Sequence, residues 1–106
     1  MTISNTSGEF ITQEEAVAFT HDFQSANPDA FKCFYVGSER IKELMDQKGL
    51  MGIRIYRGYD KHNDVENLVL VGVDALGNDM CAEKFLERLI PCPVACAQNS
   101  ILVADI

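Results

Sequence analysis

The stretch "LVLVGV", residues 68 to 73, decides how this chain of 106 residues folds. It is apolar at nearly every position, which is typical of a strand buried on both faces. The stretch "MGIRIYR", residues 51 to 57, instead alternates between apolar and polar side chains, which predicts a half-buried strand. The segment between these two strands is polar throughout, and we predict that it forms a loop.

A capping box precedes these strands. In "TQEE" the spacing of Thr12 and Glu15 predicts that a helix begins there, because each side chain can hydrogen-bond the backbone of the other. The helix should end near Ser25, since Pro28 disfavours helical geometry in the residue before it. Its apolar positions form one stripe along the helix: Ala16, Phe19 and Phe23.

The remaining segments give two helices and two strands. "FKCFYV", residues 31–36, predicts a strand, and a helix capped by Ser38 should follow Gly37. A third helix is predicted before Pro91, because apolar residues recur at helical spacing: Ala82, Phe85, Leu86 and Leu89. "DALGND", residues 74–79, predicts a tight turn in which Gly77 adopts a positive φ. "SILVADI", residues 100–106, predicts a final strand.

Without the first helix, the predicted order is βαββαβ. This order is typical of the ferredoxin-like α+β fold, here with an extra N-terminal helix. If residues 100–106 pack in another way, the alternative is a three-stranded antiparallel α+β sandwich. We expect a flexible segment over residues 1–9 and a single domain over residues 10–106.

The central strand also suggests an interface. Val69, Val71 and Val73 point away from Leu68 and Leu70, so both faces of the sheet should be apolar. Two helices cover only one face of a ferredoxin-like sheet, so the N-terminal helix or a second copy must cover the other. The valines are therefore a candidate interface, and we expect a homodimer.

Composition restricts the partners and the compartment. The net charge of −7 argues against nucleic acid as a partner, because such binding needs clustered Lys and Arg. The first ten residues have no basic region and no apolar run, so we expect no export signal. No segment is apolar for long enough to span a membrane, and we expect no membrane partner. Four cysteines without an export signal favour the cytoplasm.

Cys92 and Cys96 lie in the segment "PCPVAC" and are the most chemically suggestive residues. One such pair is too little for a typical zinc site, and Cys33 and Cys81 are isolated in sequence. The pair follows a predicted helix C-terminus, where the helix dipole does not activate a thiol. We expect two reduced cysteines that act as small apolar residues. A metal site, a redox pair and a disulfide remain alternatives.

Arg54, Tyr56 and Arg57 are a second candidate site. An arginine fork can bind a carboxylate, so one hypothesis is that the three residues hold an anion or contact an acidic partner segment. Charged residues of this kind also protect the edge strand of a sheet from pairing with other chains, and we favour that interpretation.

Four segments resemble a family of small bacterial proteins of about this length to which no function is assigned. They are "ITQEEA" at 11–16, "GIRIY" at 52–56, "LVLVGVDALGND" at 68–79 and "PCPVAC" at 91–96. The resemblance implies a shared domain and no particular activity, ligand or partner.

No catalytic or cofactor-binding motif is recognisable in the sequence, so we expect no cofactor and favour a protein that is not an enzyme. The first hypothesis is a small cytoplasmic module that associates with itself or with a protein partner. The alternatives are a thiol-redox or zinc-binding protein that uses Cys92 and Cys96, and a domain that binds a small ligand.

Overall fold

The computed structural model describes residues 2–82 and 84–104, which contain two helices and five strands. Every pairing between strands is antiparallel, so the predicted α+β class is confirmed. The elements follow in the order α1 (Gln13–Ala26), β1 (Cys33–Tyr35), α2 (Ser38–Met45), β2 (Leu50–Asp60), β3 (Val65–Asp74), β4 (Phe85–Leu86) and β5 (Ile90–Cys92).

The chain forms two compact units, each built from separate segments. We call Met1–Ser7 with Val36–Leu89 the hairpin unit, and Gly8–Tyr35 with Ile90–Ile106 the terminal unit. The range 10–106 is thus divided between the two units, and its behaviour as a single domain remains a prediction.

The β2–β3 hairpin is longer than the sequence suggests. From Gly52 to Asp60 the strands pair without interruption, and they leave a loop of only residues 61–64. The Asp60 carboxylate accepts hydrogen bonds from the backbone of His62 at 3.0 Å and of Asn63 at 3.1 Å, and Asp64 adopts a φ of 56°. These contacts fix a tight turn, so the ladder continues through polar residues that we predicted to be loop.

β3 is the central strand of the hairpin unit, between β2 and β4. Leu70 and Val71 are both buried although they point to opposite faces, which confirms that both faces of this strand are covered. α2 contacts β2 and β3 and buries Leu44, which is 2% exposed. The lack of a side chain at Gly72 lets Leu50 pack closely against the backbone of β3, since an added Cβ would lie 2.9 Å from Cδ1 of Leu50.

The predicted third helix is not found among the described residues of this segment, 82 and 84–89. Within residues 82–89 the structure has β4, in which Phe85 pairs with Val71 and Leu86 with Leu70. Helical spacing over so few residues does not distinguish a helix from a short strand. Here the outer edge of β3 supplies backbone partners that a helix would leave unsatisfied.

The ferredoxin-like topology is not confirmed. β1 and β5 pair with each other in a separate two-stranded sheet, and β2, β3 and β4 form a three-stranded sheet. The predicted strand at 100–106 is also absent, because residues 100–104 form turns and irregular structure, while 105 and 106 lie outside the described residues.

α1 begins at the predicted capping box. The Thr12 hydroxyl accepts a hydrogen bond from the Glu15 backbone at 3.1 Å, and the Glu15 carboxylate accepts one from the Thr12 backbone at 3.4 Å. The apolar stripe of the helix is largely exposed, with Phe19 at 62% and Phe23 at 48%. The buried residue of α1 is the polar Gln24, which explains why hydrophobic periodicity did not identify the packed face.

Gln24 holds the C-terminal segment against α1. It is 3% exposed, its Nε2 donates to the Leu102 carbonyl at 3.0 Å, and its Oε1 accepts from the Ala104 backbone at 2.7 Å. One helical turn earlier, His21 Nε2 lies 2.9 Å from the Ile101 carbonyl oxygen. Backbone groups that a strand ladder would have paired are thus satisfied by side chains of α1.

Candidate functional site

The segment "PCPVAC" contains a disulfide between Cys92 and Cys96, whose Cα atoms lie 4.7 Å apart. Cys92 is the last residue of β5, and the chain turns back so that the Ala95 backbone donates to the Pro91 carbonyl at 2.9 Å. The two cysteines differ in environment: Cys92 is 0% exposed, whereas Cys96 is exposed. The disulfide therefore has one protected end and one accessible end.

A third cysteine lies opposite the protected end. Cys33 begins β1 and is the direct cross-strand partner of Cys92 in the two-stranded sheet. It carries a free and exposed thiol. Because directly opposite residues of an antiparallel pair have Cβ atoms about 4.5–5.5 Å apart on one face, the register brings Cys33, Cys92 and Cys96 into one cluster. We call these three residues the cysteine cluster.

From the sequence we expect Cys92 and Cys96 to be reduced, but in the structure a disulfide joins them. The sequence also predicts a helix before the pair, which would place the two cysteines at the unfavourable end of a helix dipole. Since short strands occupy this region, the objection no longer applies. Among residues 2–82 and 84–104, no three His, Cys, Asp or Glu side chains are grouped as metal ligands.

Arg54 and Tyr56, from the second candidate site, both contact Asp79. The Arg54 guanidinium donates to one carboxylate oxygen and the Tyr56 hydroxyl to the other. Arg54 also donates to the carbonyl of Gly77, which has the predicted positive φ. The three side chains fasten the turn at 74–79 to β2.

The same contacts shift the ionisation of the Asp79 carboxyl. The hydrogen bond from Tyr56, and then the hydrogen bond and charge of Arg54, hold the pKa of Asp79 below its ordinary value. The hydrogen bond to Asp79 is also the main reason that the pKa of Tyr56 is raised. Since an internal carboxylate already occupies the arginine fork, the arrangement is that of a structural ion pair.

Arg57 is separate from this pair because adjacent strand residues point to opposite faces. Its side chain is exposed, and its guanidinium lies 3.6 Å from a carboxylate oxygen of Glu66 on β3. The set Arg54, Tyr56 and Arg57 is thus not one cluster in the structure, and its role in binding an anion or a partner remains a prediction.

The candidate interface valines lie on β3. Val71 and Val73 are buried within the chain, and Val69 is half-buried. Little of their apolar surface is therefore available to a second copy. Their role in an interface remains a prediction, and the exposed apolar side chains of α1 offer more surface.

A surface depression of about 510 Å³ lies in the hairpin unit. Its charged lining includes Glu43 and Asp46, which form ion pairs with Arg40 and Lys42 at 2.5 and 2.7 Å. Lys48 and Lys84 also line the depression, so it presents charges of both signs, and its role in binding a small ligand remains a prediction.

Sequence reasoning identified Cys92 and Cys96 but missed Cys33, because nothing local indicates which strands pair. No protein-family model, curated protein or solved structure matches the chain. Over the described residues, neither α1 nor α2 is long and apolar enough to cross a membrane.

Proposed function

We propose that the protein is a thiol–disulfide redox module in which Cys92 and Cys96 alternate between a disulfide and two thiols. The observation that carries this proposal is the unequal exposure of the two cysteines. Exchange begins when a thiolate attacks one sulfur of a disulfide, and access decides which sulfur is attacked. An external thiolate reaches Cys96, so Cys92 is the leaving group.

The reaction partner is a dithiol, and the exchange is balanced in two steps. In the first, a partner thiolate bonds to Sγ of Cys96, the bond between the two cysteines breaks, and Cys92 leaves as a thiolate that takes up a proton. In the second, the other partner thiolate attacks the partner sulfur of the mixed disulfide. Cys96 is released and protonated, so the partner loses two electrons and the pair gains two.

We further propose that the protein acts in the cytoplasm. Disulfides in a reducing compartment are usually transient and serve catalysis or redox sensing. A chain of 106 residues is large enough to form a core without a covalent staple. A reversible disulfide fits this setting better than a permanent one.

The test uses a variant in which Cys33→Ser and Cys81→Ser leave only the pair. The protein is equilibrated in buffers with graded ratios of reduced to oxidised glutathione, quenched with acid and alkylated with a maleimide. We expect a reversible change of two thiols, located by peptide mass mapping at Cys92 and Cys96, while circular dichroism shows the fold unchanged. Adding Cys96→Ser to this background is the matched control and should abolish the change.

Two results would contradict the proposal. If the disulfide is reduced only under conditions that also unfold the chain, it is a structural crosslink. If the reduced pair does not re-form the disulfide in oxidised glutathione, the two cysteines are not a redox couple. Either result would favour the second candidate function, which is self-association.

The second candidate is self-association through α1, and the exposure of Phe19 and Phe23 favours it. Exposed aromatic side chains on one helix are typical of an interaction surface. We expect a dimer by light scattering at micromolar concentration, and a monomer when Phe19→Ser and Phe23→Ser are combined. Phe85→Ser removes an exposed phenylalanine from the hairpin unit and should leave the dimer intact. A monomeric wild-type protein would rule out this candidate.

A further inference from the structure

Cys33 is the member of the cysteine cluster that the proposed pair does not use. The antiparallel register sets its Cα opposite that of Cys92. Directly opposite residues in such a pair have Cα atoms about 4.5 or 5.5 Å apart, and both spacings lie within the roughly 4.4–6.8 Å observed for disulfides. The spacing of their Cα atoms therefore permits a disulfide between Cys33 and Cys92.

We propose that Cys33 is a third redox cysteine, which exchanges with the disulfide and releases Cys96. The Cys33 thiolate attacks Sγ of Cys92, the bond from Cys92 to Cys96 breaks, and a bond from Cys33 to Cys92 forms. The electron pair leaves on Sγ of Cys96, which is then a free thiolate. One disulfide and one thiolate are present before and after the step, so no external oxidant or reductant is needed.

Burial explains why this attack is intramolecular. Cys92 is inaccessible to solvent, which protects its sulfur from external thiols, whereas Cys33 reaches it from the neighbouring strand. Facing groups held by a scaffold react with a high effective concentration. The buried sulfur is then the common partner of two exposed ones, and the disulfide has two isomers.

The two isomers present different chemistry to a partner, and this inference rests on the proposed function. In the isomer of the structure, Cys96 is an electrophilic sulfur that a partner thiolate attacks. In the other isomer, Cys96 is an exposed thiolate that attacks a partner's disulfide. Cys33 would thus allow the module to rearrange protein disulfides as well as to oxidise dithiols.

The test uses the oxidised wild-type protein, kept native and treated with iodoacetamide at increasing pH. It is then digested with pepsin in acid, without reduction, and mapped by mass spectrometry. We expect a peptide that links Cys33 to Cys92, together with alkylated Cys96, and both should increase as more thiol ionises. Neither product should depend on protein concentration.

The matched variants separate the possible outcomes. Cys33→Ser should lower alkylation of Cys96 at least about tenfold, because the intramolecular attacker is lost. Cys81→Ser, which removes the exposed thiol of the hairpin unit, should alkylate as the wild type does. Equal alkylation of Cys96 in wild type and Cys33→Ser, with no linked peptide, overturns the inference.

The proposed function and this inference can be contradicted independently of each other. It is tested in the variant that lacks both Cys33 and Cys81, where isomerisation is impossible. If that variant cycles while the linked peptide is absent from wild type, the redox pair stands and the third cysteine does not.

Discussion

Replacing Gln24 tests the most unexpected structural feature, a buried amide that holds the C-terminal segment on α1. Gln24→Met keeps a side chain of similar length and removes both hydrogen bonds, to the Leu102 carbonyl at 3.0 Å and from the Ala104 backbone at 2.7 Å. Gln24→Ala removes the same bonds and also the packing of the stem. The loss of stability in Gln24→Met therefore isolates the contribution of the hydrogen bonds, and the difference between the two variants isolates the contribution of the packed stem.

The expected change in the free energy of unfolding follows from the loss of two hydrogen bonds at a residue that is 3% exposed. A net contribution of about 0.5–1.5 kcal/mol for each bond gives a loss of roughly 1–3 kcal/mol in the free energy of unfolding. Leu102 is exposed and Ala104 is half-buried, so their freed backbone groups can be hydrated when the segment detaches. That hydration limits the loss for Gln24→Met to this range, and Gln24→Ala should exceed it.

Urea denaturation followed by circular dichroism measures the free energy, and amide hydrogen exchange at Ala104 measures the local detachment. Gln13→Met, at the exposed first residue of the same helix, is the control and should change stability by less than about 0.5 kcal/mol. A Gln24→Met variant that is as stable as this control, with the Ala104 amide still protected from exchange, would show that the two hydrogen bonds do not hold the segment.

Three further predictions address the core, the ion pair and the disulfide. Leu44→Ala should cost about 2–5 kcal/mol in urea denaturation because the side chain is buried, whereas Met45→Ala, which truncates a half-exposed neighbour, should cost far less. The pKa of Asp79 is held below its ordinary value by the hydroxyl and guanidinium groups that donate to it, so its contribution to stability is complete above about pH 3.9. It is lost as the pH falls through the lower pKa of the folded state. The urea midpoint of Asp79→Asn should therefore fall less steeply with acid than that of wild type, and parallel curves would contradict this. Reducing the bond between Cys92 and Cys96 opens a short loop and should cost about 2 kcal/mol, measured as the shift in urea midpoint with and without dithiothreitol. An unchanged midpoint would show that the disulfide does not stabilise the fold.

The elements that the sequence predicted correctly are those with strong local signals. The capping box at Thr12 and Glu15 fixes the start of α1, and continuous apolarity identifies β3 as a strand covered on both faces. The predictions that failed depend on partners distant in sequence. Residues 82–89 fit a helix by periodicity, but Phe85 and Leu86 pair with the free edge of β3, and residues 100–104 are held by Gln24 instead of forming a strand.

In the cysteine cluster, too, contacts between residues close in sequence could be predicted, whereas the contact between distant residues could not. Cys92 and Cys96 are close in sequence, so their proximity could be anticipated, although their oxidation state could not. Cys33 precedes Cys92 by more than half the chain, and only the pairing of β1 with β5 brings them together. That pairing replaces the ferredoxin-like topology, which would have placed the first strand in one sheet with β2 and β3. The pairing of β1 with β5, which the sequence did not predict, thus also gives the buried sulfur of Cys92 a second possible partner.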